Sequence, residues 1–236
     1  MLDLLTIKIM ATMSDQLLEC VTLQNGDKPT AAIIWMHGLG ADANDFVPVA
    51  HELDLKGCGA VRYVFPNAQT MPVTLNNGYV MRAWYDILGT DLVRREDEAG
   101  IRQSAAQIEA LIARERAEGI ASNRIVLAGF SQGCAMALFT GLRHAQPLAG
   151  IMALSGYLPI ADKTGAERHA ANQNTPIFMA HGTQDPVVPM ARAQAANEQL
   201  TELGYAVQWQ AYPMQHSVHP QEVADVGAFI RKVLAV

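Results

Sequence analysis

Residues 126–134 read VLAGFSQGC. An apolar, β-branched run breaks into Gly129-Phe130-Ser131-Gln132-Gly133 and helix-forming residues come next, the pattern of a nucleophile elbow. Such a turn holds a serine hydroxyl up at the C-terminal edge of a sheet, beside a helix N-terminus. Because a serine hydroxyl is a weak nucleophile, it needs a base, and the base needs an orienting acid. In elbow-bearing α/β folds these come in the order Ser, Asp or Glu, His, each past a later strand. Here the run IFMA (177–180) leads into HGTQDP with Asp185, and VQWQA (207–211) leads into YPMQH with His216. Ser131, Asp185 and His216 are therefore the expected catalytic set. Each has a rival reading. Asp185 suits a turn before Pro186, and Asp162 is a weaker alternative acid one strand earlier. His219 competes with His216 but also suits a helix N-cap ahead of Pro220. His181 sits in the same turn as Asp185 and reads as a structural histidine bonded to backbone.

A developing oxyanion needs preorganised donors. One expected donor is the N–H of Gln132, immediately after the serine. The other is the N–H of Leu39, in the sequence Met36-His37-Gly38-Leu39-Gly40 at the end of an apolar strand.

The elements that must position these groups alternate. Strands are expected at Leu17–Leu23, Ala31–Met36, Val61–Phe65, Arg124–Ala128, Leu148–Leu154, Pro176–Ala180 and Ala206–Ala211. Helices are expected at Phe46–Leu53, Glu98–Glu118, Cys134–Arg143, Ala191–Leu203 and Glu222–Leu234. In the long helix Ile101, Ala105, Ile108, Leu111 and Ile112 recur on one face. This alternation implies an α/β fold with a mainly parallel central sheet, helices on both faces and one domain over 14–236. Residues 1–13 read as an N-terminal extension, with Met13 a candidate start. The stretch Pro66–Thr90 lacks periodicity yet is too apolar for a solvated loop, and it should emerge at the ligand-binding edge of the sheet.

With 236 residues, 50% of them hydrophobic and 17% charged, the chain has the composition of a globular protein. Its net charge of -6 without a basic stripe argues against nucleic acid and anionic membranes. The longest apolar run, Ala31–Met36, is far too short to span a bilayer. Cys20, Cys58 and Cys134 lack pairing or metal spacing, which points to reduced thiols and a cytoplasmic location. No metal or cofactor is expected, since no H-E-x-x-H spacing occurs.

The segments HGLGADANDF (37–46), PNAQTMPVTLNNGYVMRAWYDI (66–87), EDEAGI (96–101), NRIVLAGFSQG (123–133), LSGYLP (154–159) and HGTQDPVVP (181–189), with the loop at His216, are similar to one family. The chain resembles the carboxylesterase, acyl-protein thioesterase and lysophospholipase family of small α/β-hydrolases. The resemblance implies an α/β-hydrolase fold without a large cap domain, a triad at Ser131, Asp185 and His216, and oxyanion donors at Leu39 and Gln132. It also implies hydrolysis of carboxylic esters of short to medium acyl chains, with long-chain thioesters or lysophospholipids as the alternative and a non-catalytic binding relative as the outlier. The apolar loop would line an acyl channel, with Leu75 and Trp84 as substrate contacts. The competing reading is that these residues pack the loop or face a homodimer partner. Two departures from the family pattern stand out. Cys134 replaces a glycine and is expected to narrow the pocket floor, and Gln215 replaces the glycine before the histidine.

Overall fold

The computed structural model describes residues 17–89 and 96–236. The proposed extension at 1–13, with Met13, lies outside the described residues. Seven strands form the central sheet: β1 (Cys20–Gln24), β2 (Ala31–Met36), β3 (Val61–Pro66), β6 (Ile125–Phe130), β7 (Gly150–Leu154), β8 (Ile177–Gly182) and β9 (Val207–Tyr212). Their order across the sheet is β1-β3-β2-β6-β7-β8-β9. β1 pairs antiparallel to β3, and every other neighbour in this sheet pairs in parallel. The parallel strands thus end at one common edge, and the expected site residues lie just past those ends.

Alternating side chains along β2 feed two cores. Ala32, Ile34 and Met36 pack on one face, while Ala31, Ile33 and Trp35 pack on the other. The first face is covered by α2 (Glu98–Ala117), α3 (Gln132–Arg143) and α5 (Met190–Glu202), through residues such as Ile108, Leu138 and Leu200. The second is covered by α1 (Val47–Glu52) and α6 (Pro220–Val233), through Ala50, Val226, Phe229 and Ile230. Local signals set the helix ends. Asp97 caps α2 by accepting from the Gly100 N–H at 2.9 Å. At α6, Pro220 occupies the first turn and His219 and Glu222 form a reciprocal capping box.

Two elements depart from the expectation. Within Pro66–Thr90 the chain forms a hairpin of β4 (Thr70–Val73) and β5 (Tyr79–Arg82), separate from the main sheet. Its reversal uses Asn77 and Gly78 at φ 55 and 76, the left-handed pair that an Asn-Gly step supplies. A short α4 (Ala161–Glu167) also forms, carrying Asp162 in its first turn.

Candidate active site

The elbow is built where two backbones touch. A Cβ on Gly129 would lie 2.0 Å from the Gly133 carbonyl oxygen, and one on Gly133 would lie 2.3 Å from that of Met36. Both positions must therefore be glycine for α3 to start so close to β2. Between them Ser131 takes φ 55 and ψ -117, a conformation strained for any residue with a side chain. The strain is held by the bond from its N–H to the Leu154 carbonyl at 2.9 Å and by the packing of α3.

Three residues far apart in sequence converge here. His216 Nε2 lies 2.9 Å from Ser131 Oγ, and His216 Nδ1 lies 2.6 Å from Asp185 Oδ2. The Asp185 side chain is fully buried, and its Oδ1 accepts from the Val187 and Val188 N–H groups at 2.8 and 2.9 Å. Those bonds fix the carboxylate, which in turn accepts the Nδ1–H bond and leaves Nε2 as the acceptor facing the hydroxyl. Phe130 packs its ring 4.8 Å from that of His216.

The rivals fall elsewhere. Asp162 is exposed on α4. His219 caps α6, accepting from the Gln221 N–H at 3.1 Å. His181 lies within β8, donates through Nε2 to the Val188 carbonyl at 2.9 Å, and stands 3.6 Å from Asp185. Burial lowers its pKa.

The Leu39 segment passes against the serine: a Cβ on Gly38 would sit 3.3 Å from Ser131 Cβ. Gly40 N–H donates to the Arg82 carbonyl at 2.9 Å, and Ala41 N–H to that of Gly38 at 3.3 Å. Among the described residues no acceptor faces the Leu39 N–H. The Gln132 N–H, at the first position of α3, has no partner within its helix either. Neither of these two amides makes a hydrogen bond among the described residues.

The side chain of Gln132 does something its position in the sequence did not announce. Fully buried, it donates to the Tyr85 carbonyl at 2.7 Å and accepts from the Trp84 N–H at 2.9 Å. It clamps the arm after the hairpin onto the elbow. Trp84, expected beside Leu75 as an acyl-chain contact, is held by the Gln132 side chain at a buried position. It is 2% exposed, and its buried indole N–H therefore needs a protein acceptor, which it finds in the His37 carbonyl at 2.9 Å. Leu75 keeps an exposed side chain in the hairpin turn. Cys134 is also buried, packed against the backbone at Gly156 where a Cβ would lie 2.5 Å from its sulfur, and burial pushes its thiol well above the usual range. It faces the core rather than a pocket floor. Gln215 sits without left-handed backbone, so no glycine is required there. A cavity of about 500 Å³ lies beyond Tyr157, lined by Glu96, Leu158, Asp162 and Arg192, and touches none of the three converging residues.

The sequence model of phospholipases and carboxylesterases matches residues 19–234. The chain belongs to the phospholipase/carboxylesterase family. It is 39% identical to acyl-protein thioesterase 1 of Emericella nidulans over 219 residues, covering 88% of this chain and 92% of the relative. It is 40% identical to acyl-protein thioesterase 1 of Mycosarcoma maydis over 226 residues, covering 89% and 94%. Among solved structures it superposes on SOBER1 of Arabidopsis thaliana with a TM-score of 0.82 at 31% identity, covering 86% of this chain and 99% of that one. The chain is therefore an α/β-hydrolase and a hydrolytic enzyme. Among the described residues no helix is long and apolar enough to cross a membrane.

Proposed function

We propose that this family member cleaves carboxylic esters and thioesters through an acyl-enzyme on Ser131. The observation that carries the reading is the relay of 2.6 and 2.9 Å from Asp185 through His216 to the strained Ser131. As Oγ attacks the acyl carbonyl, its proton passes to His216 Nε2. The Leu39 and Gln132 N–H groups stabilise the resulting oxyanion. His216 then protonates the leaving alcohol or thiol, and the acyl group stays on Ser131. A water molecule gives one proton to His216, attacks the acyl-enzyme and releases the carboxylic acid, and the proton returns to Ser131 Oγ. Asp185 remains ionised throughout and holds the imidazole in the productive tautomer.

Acyl length and leaving group define the finer reading. Short to medium carboxylic esters are the substrates the sequence suggests. The fungal relatives named as acyl-protein thioesterases, at about 40% identity over most of both chains, favour long-chain thioesters as a second reading. The cytoplasmic location and the single-domain boundary at residue 14 belong to the same proposal.

Ser131→Ala is expected to lower p-nitrophenyl ester hydrolysis by about 10³-fold or more with an unchanged circular dichroism spectrum. Retained turnover would place the nucleophile elsewhere. A series of p-nitrophenyl esters, acyl-CoA thioesters and lysophosphatidylcholine then ranks the substrates. A kcat/KM maximum at long-chain thioesters selects the second reading over the first.

A further inference from the structure

The residue just before the oxyanion segment makes more bonds than a strand-end turn requires. His37 is 2% exposed, and every polar group of its side chain has a partner. Its Nδ1 lies 2.6 Å from the Gly38 carbonyl oxygen, and its Nε2 lies 3.1 Å from the Ala68 N–H. A carbonyl can only accept and an amide N–H can only donate. The ring is therefore neutral, with its proton on Nδ1 and a bare Nε2.

Resting on the assignment of Leu39 as an oxyanion donor, we propose that His37 is a positioning residue that aims the Leu39 N–H at the reacting carbonyl. The Gly38 carbonyl and the Leu39 N–H belong to one planar trans peptide unit, so a bond that fixes the carbonyl direction fixes the N–H opposite to it. The grip matters because Gly38 has no Cβ to restrain its backbone, and the other bond on this carbonyl, from the Ala41 N–H, is long at 3.3 Å. The next peptide is held as well, by the bond from Gly40 N–H to the Arg82 carbonyl. The ring itself cannot turn, since Ala68 holds Nε2, Arg82 ties down the Ala68 carbonyl at 3.0 Å, and Trp84 packs 5.4 Å away.

The charge state supports the same role. Burial lowers the His37 pKa, and the Arg82 guanidinium lowers it further. The bond to Gly38 and the Asp42 carboxylate act in the opposite direction. Protonation would place an N–H on Nε2 against the Ala68 N–H, so the neutral ring is the form that fits.

The test is His37→Ala beside His37→Asn, whose side-chain amide can still donate to the Gly38 carbonyl. His37→Ala is expected to lower kcat by about 30-fold, less than the loss of a whole oxyanion donor, with KM changed by less than about threefold. His37→Asn should recover most of that loss. Phenylboronic acid, which forms a tetrahedral adduct on Ser131, should bind His37→Ala more weakly in proportion to kcat/KM, whereas inhibition by 1-octanol, which carries no oxyanion, should not change. Full activity in His37→Ala, or equal weakening of both ligands, overturns the proposal. Should His37→Ala fail to fold, nitrogen spectra of the wild-type ring decide: a protonated Nδ1 with a bare Nε2 is expected, and a protonated Nε2 overturns it. Loss of activity in Ser131→Ala together with full activity in His37→Ala would sink this inference alone. Retained turnover in Ser131→Ala would sink the reading beneath it.

Discussion

Two serines of this chain stand in hydrogen-bond contact with a histidine that in turn meets a carboxylate: Ser131 and Ser122. Ser122 Oγ lies 3.2 Å from His144 Nε2, whose Nδ1 is 2.8 Å from Glu109. That set differs from the one at Ser131 in three physical respects. Ser122 sits in an unstrained turn ahead of β6, whereas Ser131 is forced to φ 55 after it. The Glu109 side chain is 41% exposed, while that of Asp185 is fully buried and bonded by two backbone amides. Ser122 has Ile120 and Arg124 two positions away, where Ser131 has the glycines that the close start of α3 requires. A fluorophosphonate is therefore expected to add a single label, at Ser131. Mass spectrometry that finds the label on Ser122 would show that contact geometry alone suffices.

At the scale of elements, the site is a set of strand ends, each held in place by the segment that leads from it to the next helix. The loop from β9 to α6 carries His216, and its far end is fixed by the α6 cap. His219 accepts from Gln221, its N–H donates to Glu222, and its ring stacks 5.7 Å from Tyr212, whose hydroxyl donates to Asp225. On the proposed mechanism the two histidines do separable work. His216→Ala should cost about 10³-fold or more in kcat/KM with little change in stability. His219→Ala should leave most activity but lose roughly 1 kcal/mol of stability, the usual worth of an N-cap. Denaturant unfolding set beside steady-state kinetics checks the pair, and the reverse ranking would reassign the base. The hairpin shows where element-level reading failed. Pro72 lies inside β4 and each strand has four residues, so the periodic signal was too short, although Asn77-Gly78 was a usable turn mark. α4 escaped for a similar reason, being seven residues that include Thr164 and Gly165.

Across the whole molecule, Glu222 gives folding a pH dependence. Its carboxyl is fully buried, and burial raises its pKa to about 7 from the ordinary 4.5, with Asp225 adding to the rise and the His219 N–H opposing it. The unfolded chain ionises this group first, so the native state loses stability as pH rises from about 4.5 to 7 and loses no more above that. The shift corresponds to roughly 3 kcal/mol as an order of magnitude. Glu222→Gln, which can still accept from His219, should raise the melting temperature at pH 8 and match wild type near pH 4. An equal shift at both pH values would refute the buried-ionisation account. Much of the architecture was written in the chain itself. The alternation of apolar runs and helical periods implied the parallel sheet, because burying one face of each element admits few other arrangements. The glycines around Ser131 marked the elbow, because the α3 start leaves no room for a Cβ. Tertiary structure brought the acid favoured by chain order, Asp185 and not Asp162, to 2.6 Å from His216. It also bonded the Trp84 indole to the His37 carbonyl and committed the Gln132 side chain to the 84–85 backbone. Such choices depend on which donors and acceptors meet once distant segments pack, and spacing along a chain carries no record of those distances.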